Sequence, residues 1–181
     1  MEMPGAQDPR QIREITNVLE EHLVQARAQV ELNPNDYVAL AKWGEVLLEL
    51  SMMKQGDEAT AIITQCIEKL EKSLAIYPDN HNALVVLASA LNARAFMQHD
   101  AEVANVLFER SKKNFQRALE LDPGNQRYRQ LLDAMDSAPQ LHSQVVSQLQ
   151  TQGGMGMSGM GAAGGAGKVN HTPSYLRNGI D

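Results

Sequence analysis

Cysteine is almost absent from this 181-residue sequence: Cys66 stands alone, which excludes an intrachain disulfide and a cysteine-rich zinc site and fits a reducing compartment. Aromatic residues are scarce, with one Trp, four Tyr and three Phe. Basic residues are outnumbered, 16 Lys and Arg against 22 Asp and Glu, for a net charge of −6. That sign disfavours a surface built for phosphates, so no nucleic acid partner is expected. Long apolar runs are missing too. The longest stretch free of Asp, Glu, Lys and Arg, residues 137–167, is interrupted by Gln, Ser, His and many glycines. It falls short of the ~20 mostly apolar residues that span a bilayer, so no transmembrane segment is expected in this chain. The first residues, Met-Glu-Met-Pro-Gly-Ala-Gln-Asp, have neither the basic-then-apolar order of a secretory signal nor the arginine-rich character of a transit peptide.

What is present is 43% hydrophobic sequence over a length that suits one packed domain. Composition divides the chain into three expected parts: a flexible N-terminus at 1–8, a folded domain at 9–152 and a flexible, low-complexity tail at 153–181. Residues 153–167 hold eight glycines, three methionines, three alanines and a serine. Glycine loses the most backbone entropy on ordering and offers no side chain to bury. Setting aside Lys168, Arg177 and Asp181 leaves 14 basic and 21 acidic residues in the rest of the chain, or −7.

Every apolar run in the folded part has helical spacing, and no alternating strand pattern competes. Ile12, Ile15, Leu19, Leu23, Ala26 and Val30 mark a first helix, with Pro9 where a first turn tolerates it. The spacing returns in Leu40, Trp43, Leu47 and Leu50, in Ile63, Ile67, Leu70 and Leu74, and in Leu84, Leu87, Leu91 and Ala95. It recurs in Val103, Leu107, Ser111, Phe115 and Ala118, in Tyr128, Leu131, Leu132 and Met135, and in Leu141, Val145 and Leu149. Seven helices and an all-α fold follow.

Three segments share one punctuation: Leu32-Asn33-Pro34-Asn35-Asp36, Ile76-Tyr77-Pro78-Asp79-Asn80 and Leu121-Asp122-Pro123-Gly124-Asn125. Each proline stops the helix before it, and Asp36, Asn80 or Asn125 is set to cap the helix after it. The prolines recur at 44 and 45 residues, a regularity that means stacked helical hairpins. Inside the period, Trp43-Gly44, Cys66 and Ser73-Leu74, then Leu87-Ala88, Ser111 and Ala118-Leu119, alternate small and large side chains as close-packed antiparallel helices require. This resembles a tetratricopeptide repeat lengthened by about ten residues over the usual period.

A closer resemblance rests on Trp43-Gly44 followed by Val46-Leu47-Leu48-Glu49-Leu50-Ser51, on the two over-long repeats and their preceding amphipathic helix, and on Ala138-Pro139-Gln140-Leu141-His142. Over roughly residues 12–150 the chain is similar to the plant-type twenty-kilodalton receptor subunit of the mitochondrial outer-membrane translocase. The resemblance implies a helical domain on the cytosolic face of the mitochondrial outer membrane. Its implied partners are the presequences of mitochondrial precursor proteins and other translocase subunits. It also implies a C-terminal anchor, which this sequence does not show. A variant C-terminus, docking through protein contacts or a soluble binder would each account for that.

A presequence is a basic amphipathic helix, so its receptor needs an apolar groove with acids at the rim. Projecting the helical period from Trp43 puts Val38, Ala41, Glu45, Leu48 and Glu49 on the concave side, with Asn82, Val85, Ser89 and Asn92 from the next repeat. The competing possibility is that Leu48 and Val85 pack against neighbouring helices while Glu45 and Glu49 form a solvated face. A soluble chaperone adaptor gripping a C-terminal carboxylate is the main rival function, and a generic scaffold is another. Ala41, Glu45 and Val86 stand where a carboxylate clamp wants Lys and Asn, and a glutamate there repels the ligand.

Catalysis finds no footing. His22, His81, His99, His142 and His171 show no metal-ligand pairing, and Cys66 lies on an apolar face with no obvious basic neighbour. The glycines at 153–156 lack the strand, the Lys-Ser/Thr and the helix of a phosphate cradle. Neither an enzyme nor a cofactor or metal site is expected. Asn170-His171-Thr172 matches a glycosylation sequon, but nothing here directs secretion. Met155, Met157 and Met160 suit a soft apolar contact or a plain spacer.

Overall fold

The computed structural model describes residues 9–154; expectations about residues 1–8 and 155–181 lie outside the described residues. Among the described residues there are seven helices and no strand: α1 (Pro9–Leu32), α2 (Tyr37–Met52), α3 (Gly56–Ile76), α4 (His81–Phe96), α5 (Ala101–Leu121), α6 (Gln126–Ala134) and α7 (Ala138–Gly154). The packed unit extends to Ser147.

The proline punctuation works as a small machine repeated three times. Each helix ends two residues before its proline. The proline then takes the second position of a four-residue turn closed by Asp36 N to Asn33 O (3.0 Å), Asn80 N to Tyr77 O (3.4 Å) and Asn125 N to Asp122 O (3.1 Å). The turn's last residue caps the next helix: Asp36 accepts from the amides of Val38 and Ala39, Asn80 from Ala83 and Asn125 from Tyr128. Asp100 does the same for α5 without a proline. Gly56 opens α3 at φ +60°, a conformation that favours glycine.

Side chains set the antiparallel register of each hairpin. Ser73 Oγ donates to Tyr37 O (2.7 Å) and Cys66 Sγ to Gly44 O (3.1 Å), tying the end of α3 to the start of α2 and the middle of each to the other. One period later Ser111 Oγ donates to Ala88 O (2.8 Å) between α5 and α4. Three apolar clusters fill the stack. The first is built on Leu47, Leu48, Ile63, Leu70, Leu87 and Leu91, the second on Phe108, Phe115 and Met135, and the third on Leu84, Ala118 and Tyr128.

Two apolar stripes are less covered than their spacing suggests. In α1, Leu19 and Ala26 are buried while Ile12 and Ile15 are exposed, because α2 covers one side of α1 and no described helix covers the other. In α7, Leu141, Val145 and Leu149 all face outward. The helix docks instead through Ala138 and His142, whose ring meets the rings of Phe96 and Phe108 edge-on with centroids 6.0 and 5.8 Å away. His142 Nε2 lies 2.8 Å from Gln98 O and must donate, since a carbonyl only accepts.

Candidate peptide-binding face

The inner helices of successive repeats, α2, α4 and α6, line one concavity of about 360 Å³. Ala41 and Glu45 come from α2, Asn82, Ala83, Val85 and Val86 from α4, and Arg127 and Tyr128 from α6. The capping turns explain this convergence. Val38, Asn82 and Arg127 each stand two residues after the cap of their helix, and Ala41 and Val85 stand five after theirs. Equal distance from the cap means equal helical phase, so the period delivers matched positions to one face.

The concavity has a half-buried apolar floor of Ala41, Val85 and Val86 and charged ends. At the α2 end Glu45 accepts from Lys42 Nζ at 2.8 Å, both side chains remaining substantially exposed. At the α6 end Arg127 is exposed beside a part-buried polar relay. The Tyr128 hydroxyl donates its proton to Asn82 Oδ1 (3.1 Å), so His81 Nδ1, 2.9 Å from the Tyr128 hydroxyl oxygen, must donate to that oxygen. Burial, with Asp122 nearby, pushes the Tyr128 phenol above its ordinary range and keeps it a neutral donor at physiological pH. The relay fixes Asn82 and stiffens the wall between α4 and α6.

Of the nine projected residues, Ala41, Glu45, Asn82 and Val85 line this concavity. Val38 is exposed on the first turn of α2. Ser89 is half-buried and donates to the Val85 carbonyl of its own helix. Asn92 holds its Oδ1 buried without a hydrogen-bond partner among the described residues. Leu48 is only 8% exposed and packs in the first core cluster, because four residues past Gly44 the helix turns its face toward α3. Glu49 lies on a separate depression between α1 and α2. Arg127 and Tyr128 were overlooked in the projection, which stopped at the second repeat. The third cap, Asn125, carried the signal, since the same period maps Asn82 onto Arg127.

No group of three or more His, Cys, Asp or Glu among the described residues could hold a metal ion. Cys66 is fully buried, and burial pushes its thiol up to about 12, which disables it as a nucleophile. No described helix is long and apolar enough to cross a membrane.

Stacked hairpins with capped inner helices facing a shared concavity define a tetratricopeptide-like repeat protein. Comparison with known sequences is more specific. The profile of the plant-specific mitochondrial import receptor subunit TOM20 family matches residues 14–174. The chain is 42% identical over 136 residues to the mitochondrial import receptor subunit TOM20-2 of Arabidopsis thaliana, covering 75% of this chain and 62% of that protein. It is 35% identical over 127 residues to TOM20-1 of the same plant, covering 70% and 68%, and 34% identical over 129 residues to TOM20-3, covering 71% and 61%. The chain belongs to the plant TOM20 family, and it spans three-fifths to two-thirds of the length of these relatives.

Proposed function

We propose that this protein is an import receptor at the cytosolic face of the mitochondrial outer membrane, binding basic amphipathic presequences of precursor proteins and passing them to other translocase subunits. Its relatives are named as import receptor subunits. The concavity itself supplies the supporting observation: an apolar floor of Ala41, Val85 and Val86 for the apolar stripe of a helix, with Glu45 on the α2 wall for its basic edge. Arg127 opposite repels cations, so a bound presequence turns its basic side toward α2. The role is recognition without a catalytic step, and it calls for no cofactor.

The test is fluorescence anisotropy of a labelled basic amphipathic presequence peptide at low and high salt. Changing Glu45→Gln should weaken binding by about two- to fivefold and flatten its salt dependence. Arg127→Glu should tighten binding. Unchanged affinity and salt slope in both variants would contradict the proposal.

A further inference from the structure

Among the described residues, no helix holds the position next to α1 that α2 and α4 hold beside α3 and α5. A shift of 44 residues maps α1 onto α3, and the contacts follow it: Thr16 Oγ1 reaches Met53 Sδ at 3.4 Å between α1 and α2, and Thr60 Oγ1 reaches Met97 Sδ at 3.8 Å between α3 and α4. So α1 meets α2 as an outer helix meets the next inner helix. Its other face should then hold an inner helix of its own. In α3 and α5 that face is fully covered, by α2 and α4, at Cys66, Ser73, Ser111 and Ala118. The matching α1 residues, His22 and Gln29, are exposed. A notch of about 450 Å³ marks the place, with Ile15, Val18 and Leu19 as its apolar wall and Lys42 and Glu49 on α2 opposite. It shares no lining residue with the concavity.

We propose that this notch seats one amphipathic helix of a partner protein, which completes the first hairpin. Charge defines the occupant. Lys42 and Glu49 correspond to Val86 and Ala93, half-buried residues of α4 packed against the first core cluster, to which α2 contributes Leu47 and Leu48. On α2 these two positions carry opposite signs two turns apart, and Lys42 remains 55% exposed although it is paired with Glu45. Inner helices of a stack run parallel, so the seated helix runs with α2. It carries an acid facing Lys42 and, two turns later, a base facing Glu49 and Glu14, beside an apolar stripe for Ile15 and Val18. A presequence, basic throughout, lacks the acid.

Two designed helical peptides as long as α2, with one apolar stripe, test this on the full chain. One carries glutamate two turns before lysine, and the other has the order reversed. Amide shifts at Ile15, Val18 and His22 should report the acid-first peptide binding about fivefold tighter or better. Lys42→Glu with Glu49→Lys should invert that preference. Val18→Asp, at a half-exposed site where folding tolerates it, should abolish binding of both peptides while the circular dichroism spectrum stays unchanged. Failure of either peptide to bind the notch, equal affinity for the two orders, or equally tight binding there by a purely basic presequence peptide would overturn the proposal.

Discussion

A methyl group added at position 44 would lie 2.5 Å from Leu70 Cγ and 2.9 Å from its Cδ2, so the closest approach of α2 to α3 depends on a missing side chain. Gly44→Ala should therefore destabilise the fold by about 1–3 kcal/mol through overpacking, read as a lower thermal midpoint. Adding Leu70→Ala should make the pair cost less than the sum of the two single changes. Gly124→Ala, with nothing within 4 Å of its added carbon, should be within about 1 kcal/mol of neutral. Cys66 sits against the same glycine and donates to its carbonyl. The thiol ionises near 9.0 when free and at about 12 when buried, so the folded state holds its proton more tightly. Stability from this group is fully present below pH 9 and is lost as pH rises toward 12, at up to about 1.4 kcal/mol per pH unit. Cys66→Ser should fold well and lose this alkaline dependence, because Ser111 already makes the equivalent hydroxyl bond to Ala88. Alkaline thermal melts of the two proteins check both statements.

Between helices, stability rests on turns that repeat the same chemistry. Asp36→Ala and Asn80→Ala should each cost about 0.5–2 kcal/mol by stranding amides at the start of an inner helix. They should also weaken peptide binding, since the caps set the phase of Ala41 and Val85 on the concavity; urea titration and peptide affinity measured together check this. The seven helices, the helix ends at the three prolines and three of the four side-chain caps were legible because proline, turn and cap residues act locally. Which side of a helix is buried was legible only where a neighbour lies on both sides. Leu141, Val145 and Leu149 keep a helical spacing that marks α7, yet that helix buries Ala138 and His142. A histidine with one satisfied nitrogen and two aromatic neighbours does a core residue's work, and hydropathy alone does not reveal it.

At the scale of the whole molecule, a quasi-linear stack makes a surface no single helix owns. The groove was partly legible: Ala41, Glu45, Asn82 and Val85 came from the helical period alone. Leu48 went to the core and Glu49 to the α1 side of α2, because a projection on one helix cannot say where its neighbours stop. Arg127 required counting a third repeat. The central claim is that α2, α4 and α6 together seat a presequence. Amide-shift mapping by NMR of the isotope-labelled chain, titrated separately with a basic amphipathic presequence peptide and an acidic C-terminal chaperone peptide, tests it most directly. Saturable shifts at Ala41, Glu45, Asn82, Val85 and Arg127 with the presequence peptide alone are the predicted result; no shifts there, or stronger ones with the acidic peptide, would contradict it.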